Sequence, residues 1–320
     1  MTRSLRAPVL LLCCAFLAPS AGAAAGSGKA AAKPDYLSWQ EAARRGDTEK
    51  EYTVGLAFYR GIGGAPRDHA KALEWFALAA GHGNSAAAVR LGEMYALGQG
   101  AAKDAKKAFD LYLKAAGAGS AEGMEKLADA YLNEKELGGN SAEAAKWYAK
   151  AAETAALPDP AFKLARLYYL GGPGLERDEE KALQYFLKAF EAGQPDAACY
   201  LSGIAERRGE YGASGDWLVK GAEKGSATAM FALAKAQLGI EEYEGKKLVQ
   251  PGAAPAYKWL YVLTRKEYQP RFDELLKKTA AKLSAAERKK AEADAAPLIA
   301  RLAGKTELKS AAAARKAGKR

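Results

Sequence analysis

Leu91-Gly92-Glu93-Met94-Tyr95 returns 36 residues later as Leu127-Ala128-Asp129-Ala130-Tyr131 and, after a further 37, as Leu164-Ala165-Arg166-Leu167-Tyr168. Self-similarity at such a period marks a repeat architecture, and it decides the fold. Leucine and tyrosine stand four apart, on one face of a helix, with Ala87 or Ala88 one turn earlier. Upstream, Phe58-Tyr59 sits 36 residues before Met94-Tyr95, which puts Gly55 where leucine is expected. Leu201 and Leu233 continue the series.

A second block keeps step with the first. Lys71-Ala72-Leu73-Glu74-Trp75-Phe76 precedes Ala79-Ala80-Gly81-His82-Gly83, and Lys107-Ala108-Phe109-Asp110-Leu111-Tyr112 precedes Ala115-Ala116-Gly117-Ala118-Gly119. Trp147-Tyr148, Tyr185-Phe186 and Trp217-Leu218 lead into similar small-residue runs. The alanines let two helices approach, the aromatics fill what remains, and the closing glycines can take the left-handed conformation that stops a helix. Glycine-rich stretches at 61–64, 98–100 and 171–174 separate the two helices and read as loops. One such hairpin cannot bury its own apolar face, but stacked neighbours can. The reading is therefore all-α: an α/α right-handed superhelical solenoid of about six helix-turn-helix repeats.

The ends of the array follow the same logic. Trp39, Ala42, Ala43 and Gly46 read as a lone second helix. Ser284 and Glu287 have capping-box spacing before a helix that runs towards Ala303. The expected organisation is an N-terminal capping half-repeat at 35–46, and repeats at 47–266 divided as 47–83, 84–119, 120–156, 157–193, 194–225 and 226–266. C-terminal capping helices follow at 267–304. The fifth repeat is short around 209–216, and a long loop spans 239–252. Leu91, Tyr95, Leu127, Tyr131, Leu164, Tyr168, Trp75, Trp147 and Trp259 are the expected repeat-structural residues.

The leucine-to-tyrosine block, the glycine loop, Lys-Ala-x-x-Trp and Ala-Ala-x-x-Gly together resemble the Sel-one-like repeat (SLR) family, relatives of the tetratricopeptide repeats, in its exported bacterial form. Ala256-Tyr257-Lys258-Trp259-Leu260 and Leu283-Ser284-x-x-Glu287 resemble the last repeat and closing helix of such members. The resemblance spans residues 36–303 and implies a protein–protein interaction scaffold or adaptor, working in an envelope complex.

The chain's beginning reads as a cleaved signal peptide at 1–23, with Arg3 and Arg6 ahead of an apolar run at 7–18 and Ala21-Gly22-Ala23 for cleavage, then a flexible linker at 24–34. That run is shorter than the ~20 apolar residues a bilayer span needs, so the expected location is periplasmic or secreted, not integral to a membrane. Cys13 and Cys14 lie inside the run, and Cys199 is left alone, so no disulfide framework forms. The net charge of +10 concentrates at the ends: Lys305, Lys309, Arg315, Lys316, Lys319 and Arg320 crowd a basic tail at 305–320, expected to be disordered. Nucleic-acid binding wants bases clustered on a folded face, and none is expected here.

No chemistry stands out. His82 falls in a helix stop where the next repeat has Ala118, and His69 follows Asp68, a candidate helix cap. No phosphate loop, nucleophile elbow or zinc spacing is present, so no catalytic residue, metal or cofactor is expected. Cys199 reads as a small half-buried residue rather than a reactive thiol. Two alternatives stay open: a hydrolase acting on cell-wall or β-lactam-type substrates, and a peripheral membrane, cell-wall or anionic-polymer binder using the basic tail.

The family resemblance implies that first helices line a concave groove. Positions five and two before the repeat leucine, and two, five and six after it, share one helical face. The groove residues so selected are Glu93, Glu122, Glu125, Asp129, Asp159, Phe162, Arg166, Tyr169 and Asp196. An acidic groove with aromatic anchors would take a basic or amphipathic segment of a partner protein.

Overall fold

A computed structural model describes residues 35–133, 139–154, 158–240, 249, 251–266 and 269–303. The expected signal segment, linker and basic tail therefore lie outside the described residues. Those described form fifteen α-helices and no strand, with one isolated bridge between Gly172 and Leu175. Six consecutive pairs make the array: α2 (Thr48–Arg60) with α3 (His69–Gly81), α4 (Ser85–Leu97) with α5 (Ala105–Gly117), α6 (Ala121–Asn133) with α7 (Ser141–Thr154), α8 (Pro158–Leu170) with α9 (Glu179–Glu191), α10 (Ala197–Arg207) with α11 (Tyr211–Glu223), and α12 (Ala227–Leu238) with α13 (Ala253–Lys266). The first member of each pair is called A below and the second B. α1 (Asp35–Ala43) precedes the array, and α14 (Pro270–Ala280) and α15 (Ala285–Leu302) close it.

Each helix of the array packs chiefly on its neighbours in sequence, as stacking requires, whereas α15 passes over α14 and packs on α13. The repeat leucines Leu91, Leu127, Leu164, Leu201 and Leu233 are buried in the A helices. At the matching position of successive B helices the aromatics Phe76, Tyr112, Tyr148 and Phe186 are buried; Trp75 and Trp147, one residue earlier, are only half-buried, while Trp259 is buried. Alanines at the A–B and B–A crossings (Ala72, Ala79, Ala87, Ala108, Ala115) are buried and hold the axes close.

The helix starts are capped by side chains. Asp68, Asp104 and Asp178 each accept a hydrogen bond from the backbone N–H three residues on, at Lys71, Lys107 and Lys181. The same lysines lie over Phe58, Tyr95 and Tyr168 of the preceding A helix. Each loop closes by one repeated bond: the N–H of Asp68, Asp104, Asn140 and Asp178 donates to the carbonyl of Phe58, Tyr95, Tyr131 and Tyr168.

That repeated bond corrects the register of the first repeat. Phe58, not Tyr59, occupies the place of Tyr95, and Val54-Gly55 corresponds to Leu91-Gly92 at a spacing of 37. Gly55 is therefore the motif glycine and Val54 stands at the leucine position. A Cβ on Gly55 would stand 2.6 Å from the Phe76 ring, as one on Gly92 would stand 2.6 Å from Tyr112. Glycine is needed here because an aromatic ring of the B helix occupies the space a Cβ would take.

The array ends differ. The first glycine loop rests on α1: Tyr36 donates its N–H to the Gly63 carbonyl at 3.1 Å, and a Cβ on Gly63 would meet the Trp39 ring at 2.7 Å. The next loop rests on α3 in the same way, with Gly100 against the carbonyl of His69. α1 thus fills the slot of a B helix, with no A helix before it among the described residues. In the fifth repeat the A–B connection shrinks to 208–210, against 61–68 in the first. At the far end Ser284 and Glu287 form a reciprocal capping box.

Candidate binding face

A helices of neighbouring repeats approach one another directly at α4/α6 and α10/α12, and no pair of B helices makes a comparable approach. In a curved stack the more closely spaced layer lies inside, and at these two junctions that layer is the A helices.

Four of the expected acids on this face are already engaged. Arg90 of α4 bonds Glu93 on its own helix at 2.6 Å and Glu122 of α6 at 2.8 Å. Lys126 of α6 reaches back to Glu93 at 2.5 Å. Lys163 of α8 reaches back to Glu125 at 2.7 Å and to Asp129 at 2.8 Å. The hydroxyl of Tyr148, rising from the B helix beneath, also donates to Asp129. The result is a ladder of ion pairs running across three repeats, and its bases all sit immediately before the repeat leucine. The selection by face had passed over that position; the recurrence of Arg90, Lys126 and Lys163 there was the signal available in the sequence.

Half-burial makes the ladder electrostatically coupled. Burial opposes the charge on Glu93, but the bonds from Lys126 and Arg90 outweigh it and hold the carboxyl below its ordinary range. Burial likewise opposes the charge on Lys163, and Asp129 and Glu125 overcome it and raise its pKa. Burial and the Asp129 carboxylate both push the Tyr148 phenol upward. At neutral pH Tyr148 keeps its proton and Lys163 keeps its charge, so neither is poised to accept a proton as a general base.

The remaining expected residues divide. Asp159 is exposed and accepts a bond from Gln194 at 3.1 Å. Asp196 is half-buried and accepts from Ser226 Oγ at 2.5 Å. Arg166 is exposed, at the position where sister repeats carry Glu93 and Asp129. Phe162 and Tyr169 are brought together by a ring that the selection omitted, Tyr200, which stands 5.5 Å from Phe162 and 5.6 Å from Tyr169 and stacks on buried Phe186 at 4.6 Å. Tyr200 takes the place of the ladder lysine in the fifth repeat. Arg207 lies over the Tyr169 ring at 4.9 Å, donates to its hydroxyl at 2.6 Å, and is tied to Glu179 at 2.8 Å. At the A-helix ends Leu97 and Leu170 are 67% and 65% exposed, the most open of the large apolar side chains among the described residues.

The other singled-out residues have structural settings. His82 is the C-cap of α3, and its Nδ1 lies 2.9 and 3.0 Å from the two carboxyl oxygens of buried Glu51. His69 stacks on Tyr59 at 5.3 Å. Burial pushes the Cys199 thiol up to about 11, so it is protonated at neutral pH. Among the described residues no helix is long and apolar enough to cross a membrane.

Residues 51–84, 85–120, 121–153 and 161–194 match the family model of the Sel1 repeat. A solved Sel1 repeat protein from Oxalobacter formigenes superposes with a TM-score of 0.64 at 24% identity, covering 82% of this chain and 76% of that one. A protective antigen of uropathogenic Escherichia coli strains with an SLR fold superposes with a TM-score of 0.56 at 23% identity, covering 88% of this chain and 66% of that one. These likenesses are of fold. An ERAD-associated E3 ubiquitin-protein ligase component of Arabidopsis thaliana is 39% identical over 66 residues, a stretch that is 21% of this chain and 10% of that protein.

Proposed function

We propose, on the premise of its four matched Sel1 repeats, that this chain is an exported, non-enzymatic scaffold that holds a segment of a partner protein against its A-helix face. One observation carries the reading. The inner face presents an aromatic cluster, Phe162–Tyr169–Tyr200, flanked by Leu170 and by exposed Arg166, for which no hydrogen bond or ion pair is found among the described residues. Aromatic and arginine side chains in a rigid setting are what binding hot spots are made of. The acids Glu93, Glu122, Glu125 and Asp129 are half-buried ladder members, and a basic segment would reach them only by exchange with Arg90, Lys126 or Lys163. Asp159 and Arg166 are the more accessible charges, and the partner segment is accordingly amphipathic.

The test is site-specific photo-crosslinking in cells, with the photoreactive residue placed at Leu97, Leu170 or Arg166, and at Lys106 or Lys146 on the B helices as controls. The reading requires one partner crosslinked from the A-helix positions and absent from the B-helix positions. Crosslinks to the same protein from both faces, or from the B face alone, would overturn it. Leu97 and Leu170 are preferred to Phe162 because Phe162 also packs on Phe186 at 5.8 Å, so its removal disturbs the core.

A further inference from the structure

The folded charge is strongly polar along the array. The turn between α14 and α15, with the helix ends on either side, carries Lys277, Lys278, Lys282, Arg288, Lys289 and Lys290 against Glu274 and Glu287 within 274–290. Glu287 is committed to the capping box, and Glu274 pairs with Lys278 at 2.8 Å in a well-exposed contact that contributes little. Lys282 is exposed and makes no ion pair among the described residues.

Beside this turn lies a crevice of about 490 Å³ between the end of α12 and the end of α14. Its walls are apolar, from Leu238, Ile240, Leu275 and Ala281; among the described residues its charged members are Lys278 and Lys282. Thr279 also lines it, but its hydroxyl is spent on the Leu275 carbonyl at 2.7 Å. The volume is within the range of small-molecule sites, roughly 300–1,000 Å³. An apolar cleft with two ammonium groups and further bases around it matches a ligand with a hydrocarbon body and one anionic end.

The geometry points to a site for an anionic amphiphile, with its hydrocarbon chain in the Leu238–Ile240–Leu275 crevice and its carboxylate or phosphate head against Lys278 and Lys282. The crevice takes Leu238 from the end of the A helix α12 but none of Phe162, Arg166, Tyr169, Leu170 or Tyr200, so its test and that of the scaffold reading can fail separately. It differs from a purely electrostatic patch because the chain, and not only the charge, is recognised.

The experiment titrates the full chain with an intrinsically fluorescent long-chain fatty acid below its critical micelle concentration. The methyl ester of the same acid and inorganic phosphate are run beside it. Saturable binding of the acid is expected, with the ester weaker by about tenfold or more and phosphate failing to displace. Lys278→Gln/Lys282→Gln should lose about tenfold by removing the head contacts, and Ala281→Trp should lose about as much by filling the crevice with no change of charge. Ala281 is an exposed C-cap with ordinary helical backbone, so an unchanged melting temperature is expected for that variant. The variants share every other segment, so differences between them report the crevice alone. Equal binding of acid and ester, displacement by phosphate, or wild-type binding by Ala281→Trp would each overturn the proposal.

Discussion

Lys163 bridges two successive A helices, its Nζ 2.8 Å from Asp129, one repeat earlier in the chain. The pair joins side chains that are each about a third exposed, 32% and 30%, so it is neither a free surface pair nor a buried one. Lys163→Met should therefore destabilise the array by about 1–2 kcal/mol, above the value of an exposed pair because Glu125 and Asp129 both lose their cation. Denaturant unfolding of Lys163→Met, Asp129→Asn and the double variant would give a coupling of about 0.5–1 kcal/mol. Strict additivity would mean the ladder does not hold the repeats together.

The ladder also sets a pH window. The folded Glu93 carboxyl sits below its ordinary 4.5, so its contribution is complete above 4.5 and is lost as pH falls through the folded value. Lys163 is raised above 10.5, so its contribution is complete below 10.5 and is lost only as pH rises through the folded value. The melting-temperature gap between wild type and Glu93→Gln should be flat across neutral pH and close up in acid. A gap as wide at about pH 3 as at about pH 7 would contradict the assignment.

Gly55 and Gly92 should resist substitution although both lie inside helices. Alanine would gain about 1 kcal/mol of helix propensity, but its methyl meets the Phe76 or Tyr112 ring, and overpacking of this kind costs about 1–3 kcal/mol. Gly212, in α11 with open space around it, is the control: there alanine should be neutral or stabilising by about 0.5 kcal/mol. Thermal melts of the three variants decide it, and equal effects at all three would remove the ring-packing account.

Glu51 occupies a core column. Three residues before Leu91, Leu127, Leu164, Leu201 and Leu233 stand Ala88, Met124, Ala161, Ala198 and Met230, all buried and apolar; three before Val54 stands Glu51, 1% exposed. His82 is its ring partner. His82→Ala should cost about 1–3 kcal/mol by orphaning a buried carboxyl group, and adding Glu51→Met should restore most of it. A His82→Ala variant as stable as wild type would show that water serves Glu51 instead.

The fold was legible because a repeat writes its rule locally. Leu91 and Tyr95 fix a helical face within one turn, and the glycine loops and alanine runs punctuate the two helices of each pair. The one-residue misregister of the first repeat arose because Gly55 was read as a missing leucine. Only the bond from Asp68 to the Phe58 carbonyl and the contact with Phe76 show which positions correspond.

The inner face was half legible. Helical geometry selected Glu93, Glu125, Asp129, Phe162 and Tyr169 onto one surface, but periodicity within a helix says nothing about what the next helix places opposite. Arg90, Lys126, Lys163 and Tyr200 sit one position off that stripe and reach it only because adjacent A helices pack closely. By itself the amino-acid sequence determined that this chain is a stack of helix pairs, since apolar period and loop chemistry act between near neighbours. Whether an acid on that stack is available or neutralised, and whether an aromatic is an anchor or part of the core, was decided by the tertiary structure. Those properties depend on distances of a few ångströms between residues more than thirty positions apart, set by how closely one repeat settles on the next.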